Sequence, residues 1–443
     1  MVKHSPIIIV FILALILRFV LSPTVFHVDI FSNAGWGEWI HDNGPLGFYQ
    51  NSKWIYSWPT QPPLVNLTYG FSKEVYVQIL EILRQSANII VKYHLAPGHM
   101  IWWFNFVIWF DNPVSTEIWY PLGYLVSIKA FAIIADILIA GVIYWFAKKQ
   151  NRSPFLWTSV YLFMPFSWYI SGLWGQYDQL AYLFVLASFI GLVRFPIISP
   201  LLLALSISLK PTSAIFIPLF IWFYWKRRPG ILTFVVGIVS AILVTYFTLT
   251  AFTTDNVFVF IKEVLIPKII FKSDFRATTG AYNLWYFIFG ETPTSHDKSV
   301  LFVPAKVWGL LLYAFINVKT FLLVKKPDYK NILAAMFVVG AGSFISLTNQ
   351  LERYYFAGVV SGLFVVIAYP KLFKYWILLA IIFCLNLYKS WQYPDLPFLK
   401  NLLFENNYLM GRLISLANVI LYFKMSKAIL NDSRISKRLL PKY

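Results

Sequence analysis

The feature that most limits this chain is its series of apolar segments. Stretches poor in charge lie near 6–22, 121–147, 154–172, 178–194, 197–209, 211–225, 230–252, 301–324, 331–347, 354–369, 374–390 and 407–424. A helix rises about 1.5 Å per residue, so roughly 20 apolar residues cross the ~30 Å hydrocarbon layer of a bilayer. Twelve such segments in 443 residues leave room for little besides helices packed in or against a membrane. Composition agrees. The chain is 59% hydrophobic and 13% charged, where soluble domains run near half and a quarter. A single cysteine, Cys384, excludes an intrachain disulfide and a cysteine zinc cluster. The expected fold class is an all-α polytopic membrane protein with about twelve transmembrane or membrane-embedded helices. No Gly/Ser linker or internal repeat divides it, so residues 1–443 read as one integral domain.

Basic residues orient the helices, because Lys and Arg favour cytoplasmic loops. The clusters "KKQNR" (148–152), "KRR" (226–228), "KKPDYK" (325–330), "KLFK" (371–374) and the C-terminal tail fall at alternate helix ends, as does Lys3. Twelve crossings with both termini cytoplasmic would put all of them on one side. The net charge of +18 then needs no nucleic acid to explain it. No small-residue cleavage site follows the first helix, which reads as a retained signal anchor in a cell membrane. Segments 197–209 and 211–225 are short, roughly 20 Å each. They read as a hairpin with its tip at Lys210-Pro211, pointing from within the membrane toward the outer face. Irregular backbone at that depth must lie in protein or beside water.

Three stretches are left outside the cytoplasm: a long first loop at about 23–120, then about 253–300 and about 391–406. Within the first loop, residues 73–95 carry an apolar stripe at helical spacing and read as an interfacial amphipathic helix. The aromatic run 100–110 reads as interfacial too.

Polar residues at helix ends in such a protein are candidates for function. Here they gather on the outer side. Asp29 follows the first helix. "WGQYDQ" (174–179), with Trp174, Gln176 and Asp178, lies between the third and fourth. Lys210 sits at the hairpin tip. "TTGAYNLWYF" (278–287) carries Asn283, and "NQLERYYF" (349–356) carries Arg353 and Tyr354. Each also has a plainer reading. Asp29 and Asp178 suit helix ends, and Lys210-Pro211 suits helix punctuation. Lys129 and Asp136 share nearly one face of the second helix and read as an intramembrane structural pair or helix contact. The histidines show no metal-ligand spacing, and nucleotide-binding glycine patterns are absent.

An Asp past the first helix, then "PTQPPL" (59–64), "WGQYD", "LKP", "NLW" (283–285) and "ERYY" (352–355), in that order, resembles the GT-C superfamily of membrane glycosyltransferases. The resemblance spans residues 29–355. It implies a mannosyltransferase-like enzyme that draws on a polyprenyl-phosphate-linked sugar, with an extracytoplasmic active site and a glycan or glycolipid acceptor. Two positions depart from the pattern. Leu351 stands where many relatives have His, and Ile30 stands where many have a second acid.

Transfer from a phosphate-linked sugar needs a base for the acceptor proton and positive charge for the leaving phosphate. It does not need the carboxyl pair of most glycoside hydrolases. Asp29 is expected to be the base, with its pKa lifted by burial among Phe26, Phe31 and Trp36. Arg353 suits bidentate phosphate binding, and Lys210 adds a second cation. Trp174, Gln176, Asp178, Asn283 and Tyr354 are the expected substrate contacts. No cofactor is indicated; a divalent metal is compatible with the pattern, but nothing in it calls for one. Two other classes remain open: a lipid-linked-sugar flippase or transporter, and a non-catalytic assembly subunit of the same fold. A transporter would more commonly show two similar halves and midplane polar sites.

Overall fold

A computed structural model describes residues 5–92, 97–115, 119–270, 275–324, 326–404 and 408–438. It is nearly all helix. The helices run α1 (Ser5–Leu21), α2 (Val28–Asn43), α3 (Pro63–Lys92), α4 (Pro97–Asp111), α5 (Leu122–Lys149), α6 (Pro154–Phe163), α7 (Pro165–Trp168), α8 (Asp178–Arg194), α9 (Ser199–Leu209), α10 (Ile217–Arg227), α11 (Ile231–Thr250), α12 (Val257–Phe260), α13 (Leu284–Phe289), α14 (Ala305–Leu323), α15 (Tyr329–Ser346), α16 (Phe356–Ala368), α17 (Phe373–Trp391), α18 (Pro397–Phe404) and α19 (Leu409–Arg438). Among the described residues the only sheet is a two-residue hairpin, β1 (Ser299–Val300) with β2 (Val303–Pro304). Every apolar segment of the sequence overlaps one or more of these helices. Six of them, α5, α11, α14, α15, α17 and α19, hold a stretch long and apolar enough to cross a membrane, and α1, α6 and α9 are shorter apolar helices. The chain is thus a helical membrane protein. α11 leaves most of its apolar side chains exposed, Ile231 and Phe247 among them, as a lipid-facing helix would. α15 is almost wholly buried.

The first loop is more helical than its sequence suggests. Residues 28–43 form α2, so Asp29 lies in the first turn of a second helix. His27 caps that helix by accepting a 3.2 Å bond from the Asp29 N–H. Buried Ile30, Asn33, Ala34, Gly37 and Ile40 give α2 one inward face. That face crosses α3 at two glycines. A Cβ on Gly37 would lie 2.6 Å from the Tyr69 carbonyl oxygen, and one on Gly70 would lie 2.6 Å from Ile40. Glycines that lower helix propensity in isolation here permit the packing that holds the helix. α3 begins at Pro63, ten residues before the expected start at 73. The last residues of that expected helix, 93–95, lie outside the described residues.

The expected helix at 154–172 is broken. Pro165 has no N–H to give, Met164 is extended, and the chain restarts as α7. It then widens into a π-helix at Tyr169–Trp174, closed by Gly175 at φ +73. No other residue fits that position, since a Cβ there would lie 2.6 Å from the Lys129 side chain. The expected hairpin at 197–225 has its break at Lys210, followed by a 3-10 turn at Pro211–Phe216. Its limbs part. α9 packs on α8 and α11, while α10 packs on α8, α14 and α15. The interior has two large apolar cores, beside two small clusters around Tyr282 and Trp285. The larger is built mainly from α5, α6, α8, α10, α15, α16 and α17; the second lies among α2, α3, α5 and residues 249–269. Most of the polar motifs lie along the seam where these two large cores meet.

Candidate functional site

A cavity of about 520 Å³ opens at that seam. Gln61 of "PTQPPL", Tyr177 of "WGQYD", Lys210 of "LKP", Thr279 of "TTGAYN", and Arg353 and Tyr354 of "ERYY" all line it. Residues far apart in the chain thus meet at one void. A direct bond ties two of the walls: the Tyr177 hydroxyl donates to the Gln61 side-chain oxygen. The Gln61 carbonyl in turn accepts from Tyr49 at 2.6 Å and from Asn66 at 3.0 Å.

The charges on the inner wall are ordered. The Lys210 ammonium donates to Asp178 Oδ1. The other Asp178 oxygen has no hydrogen-bond partner and faces Arg353 Nε at 3.9 Å. Arg353 also lies 3.4 Å from Glu352. Lys210 sits 4.7 Å from the centre of the Tyr354 ring, an arrangement that favours a cation. Asp178 is therefore a counter-ion shared by two cations, rather than a plain helix cap. The side chains of Asp178 and Glu352 are 5% exposed and that of Arg353 is 18%. Arg353 thus keeps guanidinium donors facing the cavity, a geometry suited to a phosphate.

Arg353 links the cavity to Asp29. Its guanidinium lies 5.6 Å from the Trp174 ring, and Trp174 packs on His27 at 5.1 Å. Trp391, at the end of α17, closes on both rings. Gln176 donates a 2.8 Å bond to Asp29 Oδ2, and His27 Nδ1 lies 3.3 Å from the same oxygen. The Asp29 side chain remains 40% exposed, open to a ligand. Its pKa moves opposite to the sequence expectation. Partial burial raises it, as anticipated. The nearby His27 ring, the charge of Arg353 and the bond from Gln176 outweigh that and bring it down to about 2. Asp29 is a firm carboxylate here, and the charge of Arg353 is one of the causes that keep it a weak base.

Two buried cations fix this corner in place. Lys129 Nζ donates to the carbonyls of Ser22 (2.7 Å), Val25 (2.8 Å) and Leu173 (2.7 Å). It pins the α1–α2 junction to the strand of chain entering "WGQYD". Asp136 is not its partner. Arg18 of α1 reaches Asp136 at 2.7 Å, and Tyr161 and Ser171 donate to the same carboxylate. The two residues thus belong to two separate clamps, each reaching a residue of the π-helix, Leu173 for Lys129 and Ser171 for Asp136.

Asn283 takes no part in the cavity. It is fully buried and caps α13, accepting from the N–H groups of Trp285 and Tyr286, while its amide donates to the carbonyls of Phe344 and Leu347. That leaves nothing over for a sugar. Trp174 is almost wholly buried and serves as a floor for Arg353. Leu351 lines the cavity, and Ile30 points into the second core. Among the described residues no three metal-ligating side chains gather. Gln61 and Trp391 are participants that sequence reasoning passed over, and His27 read there as a spectator more than as a substrate contact. His27, two residues before Asp29 at a helix start, carried a capping signal, and Gln61 stood within a motif already noted. Trp391 carried none. No family model matches this chain, and no curated protein matches it.

Proposed function

We propose that this protein is a GT-C type glycosyltransferase. It moves a hexose, mannose being the first candidate, from a polyprenyl-phosphate donor to a lipid-linked or cell-envelope glycan. In this reading the chain crosses a cell membrane about twelve times, with both termini cytoplasmic and the active site outside. The observation that carries it is the convergence of five separated motifs on one cavity, with Arg353 between that cavity and the exposed Asp29 carboxylate.

The chemistry follows from that order. The donor phosphate occupies the Arg353–Lys210 side, with its lipid tail leaving toward the bilayer. The acceptor hydroxyl approaches Asp29. Its oxygen attacks the anomeric carbon as the carbon–phosphate-oxygen bond breaks, which inverts configuration. The acceptor proton passes to Asp29, and the bond electrons pass to polyprenyl phosphate. A bound phosphate offsets the charge of Arg353, which is one of the causes holding Asp29 low. Donor binding thereby makes Asp29 a better base, as general-base catalysis requires. Lys210 and Asp178 move little charge overall, so Arg353 carries most of the phosphate recognition.

A transfer assay tests this reading. Purified protein in lipid is offered labelled polyprenyl-phosphate sugars and a mixed envelope-glycan fraction. Transfer by wild type that is lost in Asp29→Asn, with donor still bound, is the expected result. Movement of labelled lipid between leaflets, without transfer from any donor, would replace the enzyme with a flippase.

A further inference from the structure

α2 also borders a second cavity, of about 240 Å³. Ser32, Gly35, Trp36, Trp39 and Asp42 supply its helical wall. Their spacing of three and four makes a single stripe, and Asp29 lies on that stripe one turn before Ser32. The loop at 53–57 and Tyr120 form the opposite wall. This loop is held to α2 by the Trp36 indole, which donates to the Ser57 carbonyl at 3.0 Å, and by Ser57, which donates to Ser32 at 3.2 Å.

The walls are aromatic and acidic together. Trp39 and Trp54 lie 6.1 Å apart, and Tyr56 and Tyr120 lie 6.3 Å apart. Glu38 and Asp42 stand among them. Both carboxylates already have a partner. Glu38 Oε1 accepts from Lys73 at 2.8 Å, and Asp42 Oδ1 faces His41 Nδ1 at 2.8 Å. Among the described residues, neither second oxygen has a hydrogen-bond partner in the protein. A cation would gain little from carboxylates that are already matched. A neutral sugar suits the site better. Its flat apolar faces stack on the rings, and its hydroxyls donate to the spare oxygens.

Distance adds a constraint. Trp39 lies ten residues beyond Asp29 along α2, or about 15 Å, which is the reach of several linked sugar rings. We infer that this cavity binds a neutral sugar unit of an oligosaccharide acceptor, several units away from the hydroxyl that reacts at Asp29. The inference rests on the glycosyltransferase reading and narrows its acceptor to a chain rather than a single sugar. Such a subsite sets which glycans are extended without touching the reacting atoms.

The test is direct binding, read from tryptophan fluorescence of the full-length protein in lipid nanodiscs. The probes are mannotriose, maltotriose, cellotriose and N-acetylated chitotriose, with the cationic chitosan trimer as a charge control. At least one neutral trisaccharide should bind saturably. Tyr56→Ala and Asp42→Asn, both at exposed positions, should each weaken it at least tenfold, while Asp29→Asn leaves it intact. Failure of every neutral probe, wild-type affinity in both variants, or tighter binding of the chitosan trimer would overturn the inference. Binding is read without turnover. Transfer retained without trisaccharide binding therefore counts against this cavity alone. Binding retained without transfer from any donor counts against the enzyme, and with it the acceptor role.

Discussion

Gln176 and Asp29, 147 residues apart, meet in a 2.8 Å hydrogen bond at the foot of the aromatic trio His27, Trp174 and Trp391. The amide holds one carboxylate oxygen and leaves the other to a ligand. Hydrogen bonds to charged groups contribute about 1.5–3 kcal/mol, or roughly ten- to a hundredfold in a rate that depends on them. Gln176→Leu leaves Asp29 more basic but unheld, and the lost positioning should dominate, lowering the kcat of transfer roughly ten- to a hundredfold with little change in donor KM. Gln176→Glu should be worse, because a second carboxylate repels the first. Steady-state kinetics of the two variants checks the order.

Lys210 and Asp178 form a buried pair whose members are not equally replaceable. Removing one partner of such a pair costs about 3–5 kcal/mol, because the other charge stays buried. Lys210→Met should lower thermal stability strongly. The double change Lys210→Met with Asp178→Asn should restore much of it, since no lone charge is left behind. Donor binding should stay modestly weakened in both, because Lys210, the lesser of the two cations near the phosphate, is gone. Thermal unfolding in detergent, beside binding of labelled donor, separates the two effects.

Lys129 never faces the cavity, yet it sets the distance between Asp29 and Gln176. Its three bonds hold the α1–α2 junction against Leu173. An unsatisfied buried polar group costs about 1–3 kcal/mol. Lys129→Met should destabilise the protein and make the segment between α1 and α2 sensitive to protease. Transfer should fall even at temperatures where the variant remains folded. Limited proteolysis at residues 22–27, compared with activity at low temperature, would show this; unchanged cleavage would mean the clamp is dispensable.

The sequence made some of this legible and hid the rest for identifiable reasons. α8 runs from 178 to 194 as expected, because an acid opens it, a proline at 196 follows it, and its interior is uniformly apolar. α2 was hidden because Gly35, Gly37 and two asparagines argue against a helix. What stabilises it is a crossing with α3 that no local pattern encodes. The site motifs stood out because polar residues between apolar helices are costly to place. Their partners did not stand out. Tyr177 meets Gln61 across 116 residues, and Lys129 meets Leu173 across 44. Asp29 shows the limit most clearly. Its aromatic neighbours in the sequence suggested a raised pKa, but Arg353, 324 residues on, helps to set the opposite sign.

That sign gives the last prediction. The pKa of Asp29 is about 2, below its ordinary 3.8. A depressed carboxylate contributes stability that is fully present above its unfolded value and is lost as pH falls through the native value. The contribution is therefore whole at neutral pH and fades only between about pH 4 and 2. It is modest, because the half-exposed carboxylate is screened by water. The catalytic consequence is easier to read. The acid limb of kcat/KM reports the base in the free enzyme, so wild type should be flat from about pH 6 down to about pH 4. Arg353→Met removes a charge that holds Asp29 down, and its limb should move up into that range. Arg353→Lys keeps the charge but not the planar fork. It should retain the wild-type limb and still raise donor KM about tenfold or more, by roughly one charge-assisted hydrogen bond. A limb that does not move in Arg353→Met would place the base at another residue, and Glu38 and Asp42, along the same helix, would be tested next.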